Sequence, residues 1–372
     1  MMERRQIVGL WRRGGTSVLV TLIRSEGSSY RQPGARLLIA GNSDYAGTIS
    51  GGCLETEVVR KAAWRVREGA VVERYSTLFD DTAEIPFGLG CGGIVDLLME
   101  PVETVECQAL LMAMEASLRG ESATVVTWLP NAERPLRRVV LSSDRTEIFA
   151  SEGLSPKKLA CAHGLQPGQE QDGRYVEELR PPQRLIVLGA GDDAKPLVSL
   201  SALLGWSVTV ADGRAQLTRP ERFPEAERVV LLAAGMWDAG SLDVRPQDAV
   251  VLMTHSYEQD RELLARMLPQ EPRYLGLLGA RHRSSLLVSE VAMMLDWSIA
   301  DCCERIYAPV GLDLGGDGPE AIALAVIAEV QACCMGKLGA SRRLTEGDVA
   351  AQIAKGGSSR YLQMYCALDQ VS

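Results

Sequence analysis

The run from Arg184 to Asp212 restricts the fold more than any other stretch of this chain. Arg184-Leu185-Ile186-Val187-Leu188 is an apolar strand that breaks into Gly189-Ala190-Gly191-Asp192-Asp193-Ala194 and then releases a helix through Leu204. Trp206 to Ala211 reads as a second strand, and Asp212 closes it. Strand, G-x-G-x-x-A, helix, strand and a terminal acid about twenty residues on form the pattern of a parallel βαβ dinucleotide unit. Strands expected at Val229–Ala234, Ala249–Thr254, Tyr274–Leu278 and Ile306–Ala308 alternate with helices near Gln259–Met267 and Ser284–Leu295. An apolar helix from Ala321 to about Cys334 follows Pro319. The expectation for 184–340 is α/β: a Rossmann-like, doubly wound parallel sheet.

Ligand candidates collect at the carboxyl edge of such a sheet. Gly189 and Gly191 would let a pyrophosphate approach the main chain, and Asp212 would grip a ribose hydroxyl, as in NAD binding. Arg214, two residues later, would suit the 2′-phosphate of NADP instead. Asp192 and Asp193 stand where the pyrophosphate would arrive and would repel it if turned inward, so a repurposed fold is equally open. His255, with Asp260 one turn on, and Gly279-Ala280-Arg281-His282-Arg283 leave strands toward the same crevice.

The first half carries a different signature. Ala46-Gly47-Thr48-Ile49-Ser50-Gly51-Gly52-Cys53-Leu54-Glu55 reads as a short strand, a glycine pair and a helix whose first turn holds Cys53. A helix N-terminus favours thiolate over thiol. Gly88-Leu89-Gly90-Cys91-Gly92-Gly93 sets a second cysteine among glycines. A lone cysteine is more often a small buried hydrophobe, but two in this bare setting point to chemistry. Zinc is disfavoured, because no C-x-x-C or His/Cys cluster completes a tetrahedral site. Glu26-Gly27-Ser28-Ser29-Tyr30-Arg31-Gln32-Pro33-Gly34 follows a β-branched strand. Its hydroxyls and arginine suit a phosphate, against the plainer reading of a hairpin connection.

With 372 residues, 46% hydrophobic, two domains are expected. The boundaries are 1–162 for a mixed α+β domain, a polar linker at 163–183 around Pro181-Pro182, the parallel sheet at 184–340, and a polar tail at 341–372. A net charge of −9 argues against general nucleic-acid or anionic-membrane binding, and no apolar run is long enough for a membrane span. Nine scattered cysteines suit free thiols and a cytoplasmic location.

Taken together, these motifs resemble the XdhC/CoxI family of maturation factors for xanthine dehydrogenase-type molybdenum hydroxylases. Residues 27–34, 47–55 and 91–93 look like the N-terminal signature. Leu188–Gly191, Thr254–Asp260, Gly276–Arg281 and Pro309-Val310-Gly311-Leu312-Asp313 with Pro319–Ala323 look like the Rossmann half. Tyr30 and Ala194 depart from the usual residues, proline and the third fingerprint glycine. The resemblance implies a dimeric protein that binds molybdenum cofactor (molybdopterin), shelters it while a cysteine desulfurase replaces an oxo ligand by sulfido, and delivers it to an apo molybdenum hydroxylase. On that reading Cys53 and Cys91 meet the metal, Ser28, Ser29 and Arg31 the pterin phosphate, Gly51, Gly52, Gly92 and Gly93 admit the ligand, and Glu55 orients the Cys53 loop. The competing classes are an NAD(P)-dependent oxidoreductase using His255 or a cysteine, and a passive cofactor store.

Overall fold

The computed structural model describes residues 1–27, 29–41, 43–52, 54–76, 93–232 and 242–339. Ser28, Cys53, Cys91 and Gly92 lie outside them, as does the expected tail. In chain order the first half contains α1 (Met2–Arg13), β1 (Thr16–Gly27), β2 (Arg36–Ala40), β3 (Tyr45–Gly47), α2 (Glu55–Arg65), β4 (Val71–Ser76), β5 (Gly93–Pro101) and α3 (Val105–Leu118). Next come β6 (Ala123–Trp128), β7 (Arg137–Ser142), β8 (Glu147–Ala150), α4 (Pro156–Ala162), β9 (Gly168–Gln171) and β10 (Arg174–Leu179). These strands make two antiparallel sheets, ordered β3-β2-β1-β5-β4 and β8-β7-β6-β10-β9.

Helices α1 and α3 lie between the two sheets. Ile7, Val8 and Leu10 of α1 and Leu110, Leu111 and Met114 of α3 share one core with Leu19 and Leu38 of the first sheet and Val125, Val140 and Leu179 of the second. The outer face of the first sheet is covered by α2 through Leu54, Val58 and Ala62. Two buried ion pairs stitch the sheets together. Arg138 of β7 holds Glu100 of β5 through contacts of 2.8 and 3.1 Å, and Arg36 of β2 pairs with Glu177 of β10. Removing one partner of such a pair strands a buried charge and costs about 3–5 kcal/mol.

The stretch 163–183, expected as a linker, instead supplies β9 and β10. Tyr175, Val176 and Leu179 are buried, and the acid that made β10 look like solvated linker, Glu177, turns inward to Arg36. A second difference concerns the cysteine loop. The helix that follows it opens at Glu55 with Leu54 as its cap, and Cys53, expected in its first turn, lies outside the described residues.

The second half contains β11 (Arg184–Leu188), α5 (Ala194–Leu203), β12 (Ser207–Asp212), β13 (Arg228–Leu231), β14 (Ala249–Leu252), α6 (Tyr257–Met267), β15 (Tyr274–Leu277), α7 (Arg281–Leu295), α8 (Ile299–Arg305) and α9 (Pro319–Cys334). The sheet order is β13-β12-β11-β14-β15, every pair parallel, with the order reversing beside β11. Apolar strands buried on both faces are what a parallel sheet demands. One face packs against α5 and α9 through Leu197, Val198, Val326 and Val330. The other packs against α6 and α7 through Leu263, Leu264, Leu287 and Val291. The expected strand at 306–308 shrinks to one parallel bridge between Tyr307 and Gly276, because Pro309 has no N–H to extend the ladder.

Candidate functional site

One end of the first sheet gathers three segments that are distant in sequence. Gly27, the last residue of β1, pairs with Gly93, the first of β5. In the chain, Ser28 follows the former and Cys91-Gly92 precedes the latter. The loop after β1 also reaches the glycine loop before α2. A Cβ on Gly51 would stand 2.7 Å from the Tyr30 ring, so only glycine lets that ring lie on the main chain there. Gly51 and Gly52 have φ of 93° and 114°, values that glycine adopts without strain.

Glu55 fixes the shape of this loop. Its carboxylate accepts the N–H groups of Ile49 at 3.0 Å, Ser50 at 2.9 Å, Gly51 at 3.3 Å and Gly52 at 2.9 Å. The hydroxyls of Thr48 and Ser50 donate to it as well. Ser50 Oγ in turn accepts from the Leu54 N–H at 2.9 Å, closing the loop onto the start of α2. Burial alone would raise the pKa of Glu55, but donation from Ser50, Thr48 and the loop N–H groups holds it down at about 2. Glu55 is therefore a fixed anion that shapes the loop, not a proton carrier at neutral pH. Thr48 and Ser50 were not singled out in the sequence. Their local trace is a pair of hydroxyls seven and five residues ahead of an acid that opens a helix, a pattern that ordinary turns share.

The proposed phosphate residues are engaged locally. Ser29 Oγ donates to the Arg31 carbonyl at 2.7 Å, and the Arg31 guanidinium pairs with Glu3 of α1.

In the second half the fingerprint residues come together as expected, but on one another. Gly189 has φ 131°, and a side chain there would collide with the Met253 carbonyl beyond β14. Asp212 is buried and accepts the Ala190 N–H at 2.8 Å, the Arg214 N–H at 2.8 Å, and the Arg214 guanidinium at 2.9 and 2.7 Å. Burial would raise the pKa of Asp212, yet the Arg214 hydrogen bonds, joined by the main chain, hold it below the usual carboxylate value. Asp193 leans back over Gly191 and meets His255 Nε2 at 2.7 Å. Asp260 takes the Thr254 hydroxyl at 2.7 Å and Arg283 at 2.6 Å, so Arg283 turns inward while Arg281 and His282 stay exposed. The donor set does not fit NAD or NADP as arranged. The ribose acid is clamped by the arginine proposed for the 2′-phosphate, and a carboxylate covers the glycine loop. Among the described residues no group of three or more His, Cys, Asp or Glu side chains is placed to hold a metal ion.

Comparison with known proteins matches 185–330 to the XdhC Rossmann domain and 10–76 to the XdhC and CoxI family. A Bacillus subtilis protein described as a probable xanthine dehydrogenase subunit is 27% identical over 320 residues, 84% of this chain and 92% of the relative. The molybdenum cofactor insertion chaperone PaoD of Escherichia coli is 24% identical over 322 residues, 85% of this chain and 83% of the relative. A crystal structure from Bacillus halodurans, described as a xanthine dehydrogenase, superposes with a TM-score of 0.75 at 26% identity, covering 94% of this chain and 99% of that one.

Proposed function

This chain belongs to the XdhC and CoxI family, and on that premise we propose that it is a carrier for molybdenum cofactor that serves a molybdenum hydroxylase. The pterin-bound metal is its cargo. In this reading the chain holds the cofactor while a cysteine desulfurase supplies sulfur, and then passes it to the apo-hydroxylase. The observation that carries the proposal is the meeting of Gly27 with Gly93 and of Tyr30 with Gly51 at one end of the first sheet, with Glu55 gathering the N–H groups of residues 49–52 in the loop that leads to Cys53. Soft thiolates suit molybdenum. Cys53 and Cys91 are assigned to the metal end, and Ser28, Ser29 and Arg31 to the phosphate end. Family likeness to PaoD supports the same cargo.

The oxidoreductase alternative loses ground because Asp212 already carries Arg214 and the Ala190 N–H. A dimer belongs to the proposal through the family resemblance, and a cytoplasmic location through the scattered cysteines.

The test is purification from cells that make the cofactor, with molybdenum, pterin and nicotinamide measured in the protein. Molybdenum with pterin is the expected result, and nicotinamide alone would overturn the proposal. Cys53→Ala should fold like the parent and fail to activate an apo-hydroxylase. Wild-type activation by that variant would remove Cys53 from its role.

A further inference from the structure

A cavity of about 430 Å³ opens beside the first turn of α1, lined by Glu3, Arg4, Tyr30, Arg31, Gln32 and Arg36 among others. Its size falls within the range of about 300–1,000 Å³ usual for small-molecule sites. Three of these side chains are arginines and one is a carboxylate, but the distribution of their partners matters more than the count. Arg31 pairs with Glu3, and Arg36 pairs with Glu177. Arg4 has only neutral acceptors, Ser117 Oγ at 2.8 Å and the Arg180 carbonyl at 2.6 Å, and no carboxylate forms an ion pair with it among the described residues. Burial, followed by the nearby Arg36 charge, pushes the pKa of Arg4 down to about 10, and the more distant Glu177 carboxylate, already paired with Arg36, only partly opposes this. Arg36, 6% exposed, keeps a buried Nε with no hydrogen-bond partner. A half-buried guanidinium with no carboxylate in direct contact is costly, and a bound anion would offset that cost.

We propose that this cavity binds a phosphate group, with Arg4 as its principal cation. Arginine forks match phosphate geometry and form its stronger hydrogen bonds. Tyr30 gives the site its direction, since it lines the cavity while its ring rests on Gly51, two residues before Cys53. A phosphate in the cavity and a group held at the cysteine loop would share Tyr30 as a common wall. The phosphate can come from free phosphate metabolites or from the phosphorylated end of the pterin cargo. Only the second source rests on the carrier reading above.

The experiment titrates full-length protein, made in cells that do not make the cofactor so that the cavity is free of pterin, with inorganic phosphate and with pyrophosphate, by calorimetry and by phosphorus NMR. The panel is the parent chain, Arg4→Gln, Arg4→Lys and, as a charge control, Arg13→Gln at the exposed far end of α1. Pyrophosphate should bind the parent and the Arg13 variant alike. Arg4→Gln should weaken binding at least about tenfold, as loss of a charge-assisted hydrogen bond does, and Arg4→Lys should restore part of it. No binding to the parent, or equal weakening by Arg4→Gln and Arg13→Gln, would overturn the site. A thermal melt of Arg4→Gln at or above the parent's excludes misfolding as the cause of its loss.

The source is settled by pterin content of the same proteins purified from cells that make the cofactor. If Arg4→Gln loses both pyrophosphate binding and pterin, the cavity holds the cargo's phosphate. If pterin stays and pyrophosphate binding is lost, the site stands with free phosphates as its ligand. If the parent carries no pterin yet binds pyrophosphate through Arg4, the carrier reading fails and the site survives.

Discussion

In the first half of the molecule, Glu55 draws four N–H groups and two hydroxyls of residues 48–52 onto one carboxylate. In the second half, Asp212 draws one N–H from the glycine loop, Ala190, and is otherwise clamped by Arg214. Both are carboxylates placed against glycine-rich turns, and both sit below their ordinary pKa. They differ in what they leave for a guest. Glu55 is satisfied by the loop it shapes, needs no cation, and leaves the Tyr30 and Gly51 surface beside a cavity. Asp212 is satisfied by an arginine standing where a ribose or a 2′-phosphate would sit. A glycine fingerprint thus reports a backbone geometry. Whether that geometry receives a ligand depends on the partner its acid has already taken.

The largest expected effect comes from breaking the first loop. Glu55→Gln replaces an acceptor-only group by one whose amide must face loop donors. Stability should fall by about 2–4 kcal/mol, read from chemical denaturation. Activation of an apo-hydroxylase should fall at least about tenfold, because residues leading to Cys53 lose their common anchor. Retention of full activation would mean the loop needs no anchor. The same pair of proteins gives a pH signature. The folded-state pKa of Glu55 is depressed from 4.5 to about 2, so its contribution is fully present above the unfolded value and is lost as pH falls toward the folded one. The stability gap between parent and variant should be flat above about pH 5 and close progressively between 4.5 and 2. A gap that instead closes on raising the pH would assign the wrong group.

Asp212→Asn probes the other side of the comparison. It weakens a pair that is buried on the carboxylate side and partly exposed on the arginine side, so the loss should be about 1–3 kcal/mol. Cofactor-dependent activation, measured on the folded fraction, should stay within about twofold of the parent. A collapse of activation with the fold intact would place the cargo in the Rossmann crevice and reverse the comparison.

The two halves were unequally legible. The parallel sheet could be read from β11 to β15 because each strand is a short apolar run closed by turn residues, and burial on both faces leaves no polar alternation to blur it. In the first half, β10 was hidden because its stabilising residue is an acid whose arginine partner lies in β2. Such a pairing exists only in three dimensions, and locally Glu177-Glu178 looks like solvent-facing linker. Arg4 was hidden for the same reason, since its acceptors are at positions 117 and 180. The cysteine loop could be recognised from glycine spacing, but the hydroxyls that bind Glu55 could not, because Thr48 and Ser50 resemble ordinary turn residues. The Asp212–Arg214 clamp lay two residues apart in plain view. What the sequence withheld was its direction, toward each other instead of toward a nucleotide.

The smallest effect tests whether the second loop is closed by one lock or two. Asp193 over Gly191 is held by His255, whose side chain is 58% exposed, so His255→Ala should cost less than about 1 kcal/mol. His255 also has φ 63°, a conformation alanine tolerates no better, so the substitution leaves the backbone strain in place and isolates the side-chain contact. If the carboxylate of Asp193 were the sole obstacle, releasing it would let NADH reach the glycine loop. Asp212 and Arg214 do not depend on His255, and they still occupy the ribose position in the variant. Titration with NADH, followed by its fluorescence, should therefore show no saturable binding to either parent or His255→Ala. Binding to the variant alone would make His255 and Asp193 a latch on a working nucleotide site. Binding to the parent would show that the Asp212–Arg214 clamp yields to a ribose, and the contrast between the two glycine loops would lose its basis.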